Sequence, residues 1–346
     1  MKLLIFTQKV DTDDVVLGFF HEWILEFSKK CQSIKVICLY KSEFDLPENV
    51  EVFSLGKEDG TSKIGQGINL FKYLFRLNGS YDKVFVHMDP IYLVLCGWYL
   101  WIKDVPVYMW YVHRSVDLKL RIATFFSRKI FTSSPESFGI KTPKVVYMGH
   151  GINTDELIYI ERDFSKKPLS LVHLGRVTPI KNLDTLILTG ANLKEKGVNV
   201  SVSFHGDCVT ETDKDYKASL ESLADTKGLK NEIIWAGKYR HDNLAEVLKN
   251  AQISLNLAPT GGMDKAVLES ILMGIPVFVS NNAFNDLFGD NKNLFVFNNK
   301  DHLDLSQKIV RFLELENKKE IMKNLDKKVR ENFSLTRLID RMIETM

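Results

Sequence analysis

The chain has little of what announces a simple function. Its 346 residues include four cysteines, Cys31, Cys38, Cys96 and Cys208, with no C-x-x-C pair. That pattern excludes a zinc ribbon and a disulfide scaffold, and it suits a reducing compartment. Net charge is nearly absent: 46 Lys and Arg against 44 Asp and Glu leave +2, so there is no broad basic field to hold nucleic acid. No apolar run is long enough to cross a bilayer. The longest, 91-IYLVLCGWYLWI-102, has twelve residues where a span needs about twenty; the preferred reading is a buried helix, and the alternative is contact with a membrane. The opening MKLLIFTQKVDTDD has four consecutive apolar residues, too few for the core of a signal peptide, and reads as a first strand in a cytoplasmic protein. Internal repeats and low-complexity tracts are missing too.

What is present is an ordinary globular composition, 45% apolar and 26% charged, and length for two domains at roughly 150 residues each. Short β-branched and aromatic runs alternate with helical patterns, the signature of α/β domains with parallel sheets. Strands are predicted at 2–7, 34–40, 83–88, 106–112, 129–134 and 144–148, then at 169–175, 199–206, 232–237, 252–258, 275–280 and 294–297. Helices are predicted at 15–30, 91–102, 117–127, 182–196, 214–227, 242–249 and 263–273, with only helical pattern from 301 onward and Asp301 and Ser334 as N-cap candidates. The expected organisation is a first Rossmann-like domain at 1–158, a polar, proline-marked linker at 159–168, a second domain at 169–320, and a C-terminal helical segment at 321–346 that packs back on the first domain. Two doubly wound domains in tandem would face a central cleft with their strand ends.

Two runs carry the chemistry. In 172-VHLGRVTPIKNLDTLI-187 a buried strand ends at Gly175, followed by Arg176 and by Lys181 just before a helix. A guanidinium and an ammonium beside a helix N-terminus, at a strand end, suit a diphosphate. In 257-LAPTGGMDKAVLESILMGIPVFVSN-281 a strand leads into Gly261 and Gly262, then a helix carrying Glu269. Adjacent glycines at a helix start let backbone N–H groups approach an anion, and Glu269, two turns on, is within reach of ribose hydroxyls. Read alone, each run is also compatible with solvated surface charges and a strand-to-helix turn.

Together they resemble a family. Gly-Arg-x4-Lys-Asn after a strand, then 205-HGD-207, 235-WAG-237 and 268-LESILMGIPV-277, preceded by 147-YMGHGIN-153, is similar to the C-terminal half of the group 1 glycosyltransferases (family 4, GT-B fold). The resemblance implies a retaining, metal-independent hexosyl transfer from a UDP-, GDP- or ADP-sugar to a hydroxyl acceptor, with no cofactor. The acceptor would be a glycan, a lipid-linked species or a small molecule, most commonly in cell-surface polysaccharide synthesis. It implies that Arg176 and Lys181 bind and neutralise the diphosphate, that Glu269 contacts the ribose, and that His113, after the strand 106–112, stands near the donor sugar. Donor-binding positions by the same resemblance are Gly18, Gly175, Gly206, Tyr239, Gly261, Gly262, Met263, Asp264, Lys265 and Glu269. The sequence departs from the family's Glu-x7-Glu pattern, whose first glutamate falls at Gly261; Asp264 and Lys265 stand close by as substitute sugar contacts. That departure keeps an alternative open, a non-catalytic nucleotide-sugar-binding subunit of the same fold. A sugar-nucleotide epimerase is a remoter one, lacking carboxylates to act as acid and base.

Four features carry plainer readings. Asp11, Asp13 and Asp14 invite a metal site, but acids before a helix are ordinary caps. His87 is a weaker version of His113, and His150 reads as structural. The stretch 65-GQGINL-70 starts like a dinucleotide fingerprint but lacks the third glycine and follows no strand, which argues against nicotinamide. Lys63, Lys72 and Arg76 make 63–79 a basic amphipathic helix. A peripheral contact with the inner face of a membrane is one use of such a helix; the preferred reading is an ordinary helix packed on the sheet with its cations in water.

Overall fold

A computed structural model describes residues 1–14, 17–239, 243–259 and 263–346. The chain divides into two units, Met1–Gly151 with Leu335–Met346, and Ile152–Ser334. The first begins β1 (Lys2–Val10), α1 (Phe19–Lys30), β2 (Ser33–Lys41), β3 (Val50–Ser54), α2 (Lys63–Arg76), β4 (Lys83–His87) and α3 (Ile91–Ile102). It continues through β5 (Val107–Trp110), α4 (Leu118–Phe126), β6 (Lys129–Thr132) and β7 (Val145–Tyr147). Its seven strands are all parallel in the order β3-β2-β1-β4-β5-β6-β7. Strand order reverses between β1 and β4, which is why helices cover both faces and why the centres of β1 and β4 are the apolar runs 3–6 and 84–86.

The second unit contains β8 (Leu169–Leu174), α5 (Leu183–Glu195), β9 (Val200–His205), α6 (Glu211–Thr226), β10 (Ile233–Gly237), α7 (Leu244–Leu248), β11 (Ile253–Asn256), α8 (Lys265–Leu272) and β12 (Val277–Val279). Short α9 (Asn285–Phe288) and α10 (Lys292–Phe295) lead to α11 (His302–Glu314) and α12 (Lys318–Phe333). The sheet, β10-β9-β8-β11-β12, is again parallel and reverses between β8 and β11. A last helix, α13 (Leu335–Thr345), belongs to the first unit, where Leu335, Leu338, Ile339 and Met342 share a core with Phe20, Trp23 and Phe27 of α1.

Several details differ from the sequence reading. Residues 152–168 fold with the second unit because backbone and side chain tie them there: Ile152 N–H donates to Phe333 O at 2.9 Å, and buried Arg162 donates to the carbonyls of Lys249 (2.6 Å) and Met273 (2.7 Å). Of 321–346 only α13 joins the first unit; α12 stays with the second. The run 294–297 is not a strand: α10 ends at Phe295, whose ring packs on Phe278, Phe288 and Phe312, and a single bridge links Val296 to Val279. Edge strand β3 was not foreseen. Helix α3 occupies 91–102 but is buried on one side only: Tyr92, Leu93, Cys96 and Leu100 are in the core, whereas Leu95, Trp98, Trp101 and Ile102 are exposed.

Candidate functional site in the second unit

The C-terminal ends of β8, β9, β10 and β11 bring together residues that lie far apart in sequence. Gly175, just past β8, donates its N–H to His205 O (2.9 Å); Gly206, just past β9, donates to Gly237 O (2.8 Å); Val177 donates to Asp207 O (3.1 Å). The segments 175–177, 205–207 and 235–237 are thus stitched side by side. Gly206 lies so close to Gly175 that a Cβ there would sit 2.0 Å from the Gly175 carbonyl oxygen and 3.1 Å from the Arg176 nitrogen. Only glycine fits this approach. Arg176 projects from the same turn and is exposed.

Lys181 sits on a single 3-10 turn, Pro179–Lys181, ahead of α5. Its Nζ is 2.9 Å from Asp264 Oδ2. That oxygen also accepts from Asn256 Nδ2 at 2.9 Å, and Oδ1 accepts the Ala266 N–H at 3.2 Å, which makes Asp264 the N-cap of α8. Burial pushes this carboxyl up, but the Lys181 charge and the three donors outweigh it and hold the group below its usual range. A lysine ammonium has three N–H donors; Asp264 takes one and fixes the direction of the others.

Beneath this pair lies a residue that the sequence did not single out. His173, on β8, is fully buried, with Nδ1 3.2 Å from Leu255 O, while Nε2 has no hydrogen-bond partner among the described residues. A side chain at Gly175 would lie 3.6 Å from that Nε2 and 3.8 Å from Lys181 Nζ. Burial, reinforced by the Lys181 charge, lowers the His173 pKa to about 4, so the imidazole is neutral and adds no charge under Lys181. Its signal in sequence is weak, a lone polar residue inside an apolar strand.

Glu269 lies in α8 as a buried carboxylate. Tyr239, whose ring is set edge-on to His205, has its phenol pushed well above the usual range by burial first and then by the negative charges of Glu269 and Asp264. Met263 packs against the core of this unit, and Lys265 opens α8. Gly261 and Gly262 lie outside the described residues. The α5 N-terminus departs from expectation, because the Leu183 and Asp184 N–H groups donate to the Tyr216 hydroxyl at 2.7 and 3.3 Å. An anion near Lys181 would therefore meet side-chain cations rather than those amides.

Gly18 and His113 belong to the first unit. A Cβ at Gly18 would be 2.5 Å from the Asp14 carbonyl oxygen. Gly18 itself is the N-cap of α1, with no side-chain cap, so the acids ahead of it are not helix caps as expected. Lys9 Nζ bridges Asp11 (2.9 Å) and Asp14 (2.6 Å), and Asp14 also accepts the Leu17 N–H. The bond from Asp14, set against partial burial and aided by Asp11, holds the Lys9 ammonium well above its ordinary range. His113 is exposed in the loop after β5, with Nδ1 accepting the Ser115 N–H at 3.1 Å. His87 ends β4 in the core, stacked on Phe20 with ring centroids 3.7 Å apart. Gly65 and Gly67 lie inside α2, where no dinucleotide turn exists. Among the described residues no group of three or more His, Cys, Asp and Glu is placed to hold a metal ion.

No curated protein sequence matches the chain significantly. Solved structures resemble it over nearly their full length. A HepE protein from Anabaena, solved with UDP, aligns with TM-score 0.77 at 17% identity, covering 100% of this chain and 99% of its own. A glycosyltransferase from Rickettsia africae aligns at 0.73 and 15% identity, over 99% and 97%. Sucrose-phosphate synthase from Thermosynechococcus elongatus aligns at 0.74 and 12% identity, over 99% and 98%. At such identities the likeness establishes the fold, two parallel sheets flanked by helices, which is GT-B. The family profile "Glycosyl transferases group 1" matches residues 157–331, which takes in the whole constellation from His173 to Glu269, and the chain belongs to the group 1 glycosyltransferases.

Proposed function

We propose that the chain is a retaining, metal-independent glycosyltransferase of family 4 that moves a hexose from a nucleotide diphosphate sugar to a hydroxyl acceptor in cell-surface glycan synthesis. The observation that carries this reading is the pairing of Lys181 with Asp264 at the point where the second sheet reverses its strand order. Ligands of open α/β sheets bind at such a switch point. Lys181, directed by Asp264, and Arg176 on the adjoining turn supply the positive charge that a departing diphosphate requires. The bond from the anomeric carbon to the phosphate oxygen breaks as the acceptor oxygen bonds to the same face of that carbon, and the acceptor proton passes to a phosphate oxygen. Charge stabilisation of this kind is worth about 3 kcal/mol per donor group. Glu269 and Tyr239 are assigned to the ribose and base side of the donor, and His113 to the transferred sugar.

UDP is the first base to test, since the Anabaena relative was solved with UDP and with UDP-glucose. The experiment is a thermal-shift screen of UDP-, GDP- and ADP-sugars, followed by hydrolysis and transfer assays with and without EDTA and by NMR of the product's anomeric configuration. A donor that raises Tm and is turned over in EDTA with retained configuration supports the reading. Binding without turnover on any acceptor supports instead a nucleotide-sugar-binding subunit, the alternative that Gly261 raises.

A further inference from the structure

Helices α2, α3 and α4 lie side by side on one face of the first sheet. Leu70 and Leu74, then Tyr92, Leu93 and Leu100, then Leu120 point into the same core. Phe71 meets Trp98 at 6.4 Å and Phe75 meets Tyr99 at 5.4 Å between ring centroids, which joins α2 to α3. A Cβ on Gly97 would stand 2.5 Å from the Phe126 ring, which joins α3 to α4. Their inner sides are therefore fully used. Their outer sides are apolar as well. Ile68 and Phe75 on α2, Trp98, Trp101 and Ile102 on α3, and Phe125 on α4 are all exposed, Trp101 and Phe125 at 69% each. Large apolar side chains massed on one face cost free energy in water unless something covers them.

Charge on this face has one sign. No Asp or Glu occurs within 63–76, 91–102 or 118–126, whereas α2 carries Lys63, Lys72 and Arg76 and α4 carries Lys119 and Arg121, all exposed. Lys103 directly follows α3; the nearest acids in sequence, Asp89, Asp104 and Asp117, stand at helix ends, and Asp89 and Asp117 are occupied in capping the Ile91 and Leu120 N–H groups. Overall the chain is near neutral, so the bias is local. No helix among the described residues is long and apolar enough to cross a membrane. Indole rings with aliphatic neighbours, beside helices whose charged side chains are all cations, match the layering of an anionic bilayer: rings at the boundary of headgroups and acyl chains, ammonium and guanidinium groups at the lipid phosphates.

We infer that the outer face of α2, α3 and α4 is a docking surface for an anionic lipid bilayer, with Trp98 and Trp101 as its insertion points. Contact lies along the surface, parallel to helices too short to span. The plain packing role that the sequence suggested for α2, and the burial it suggested for α3, describe only their inner sides. Nothing in this inference depends on the proposed transfer reaction, because binding is read without donor or acceptor.

The test is sedimentation of the full chain with vesicles of phosphatidylcholine, with or without phosphatidylglycerol, while tryptophan emission is followed. At low salt the chain co-sediments with the phosphatidylglycerol vesicles and its emission shifts to the blue; raising salt to about 0.5 M, where screening is strong, releases most of it. Trp98→Ser combined with Trp101→Ser weakens binding at least about tenfold; because Trp98 also packs on Phe71, Trp101→Ser alone, at a ring 69% exposed, weakens binding with Tm unchanged. Lys72→Glu with Arg76→Glu abolishes the preference for phosphatidylglycerol. The inference is overturned if the chain stays in the supernatant at low salt, or if the serine pair binds vesicles as the parent does. It is also overturned if the parent forms a concentration-dependent dimer that the serine pair dissolves, for then a second copy covers the face.

Discussion

Lys181 and Asp264, 83 positions apart in sequence, are ion-paired at 2.9 Å where the ends of β8 and β11 adjoin. Both side chains are partly exposed, so the pair itself adds under about 1 kcal/mol to stability; its effect is to aim an ammonium. Lys181→Ala is expected to lower kcat/KM about a hundredfold, and Arg176→Ala similarly. Asp264→Asn, which removes the charge and leaves a polar side chain beside Asn256 and Ala266, is expected to cost about tenfold, with Tm little changed. If Asp264 acts through Lys181, the double variant is no slower than Lys181→Ala alone; additive losses in steady-state kinetics would refute this.

Acid should weaken the second unit through His173. The folded pKa of about 4 lies below the ordinary 6.5, so between those values the unfolded chain binds the extra proton. Stability from this group is constant above about pH 6.5 and falls as pH drops toward 4, by up to about 3 kcal/mol. His173→Phe removes that component. Urea denaturation of parent and variant at about pH 7 and pH 4.5 reads it directly: the two proteins should lose different amounts of stability on acidification.

Two glycine substitutions should act in opposite directions. Gly206→Ala drives a methyl to within 2.0 Å of a backbone oxygen and should cost about 3 kcal/mol. Gly67→Ala, inside α2 with nothing within 4 Å of the new methyl, should gain about 0.5 to 1 kcal/mol by restricting the unfolded chain. Thermal denaturation of the two variants checks both signs.

Arg162→Met tests where the second unit begins. It leaves the carbonyls of Lys249 and Met273 without their guanidinium donors and should destabilise that unit by about 2 to 4 kcal/mol. Were residues 152–168 a free tether, the change would be silent in denaturation.

Most of the alternation of strands and helices was legible because parallel strands buried on both faces leave unbroken apolar runs, such as 3-LLIF-6 and 84-VFV-86. Strand β3 left no such run: Val50–Ser54 is an edge strand with exposed Glu51 and partly exposed neighbours. Leu294 and Phe295 look like strand residues because a short apolar run does not reveal its period. At the candidate site, spacing singled out Arg176, Lys181 and Glu269 as candidates. The Lys181 pairing with Asp264 and the placement of His173 under Gly175 are contacts between separate strand ends, which no local pattern encodes. Helix α3 was misread for a different reason: an apolar helix in an α/β domain is ordinarily covered, and hydropathy does not report that its outer side is bare.

The first unit is discontinuous in sequence. Helix α13, which fills the α1 side of its core, follows the whole of 152–334. On the ribosome, residues 1–151 therefore emerge with the side of the α1 core that α13 fills still open, while the later segment holds all of its own strands and core before α13 is made. The unit synthesised first is the last that can be completed, and during that interval the apolar seat of Leu335, Leu338, Ile339 and Met342 is open.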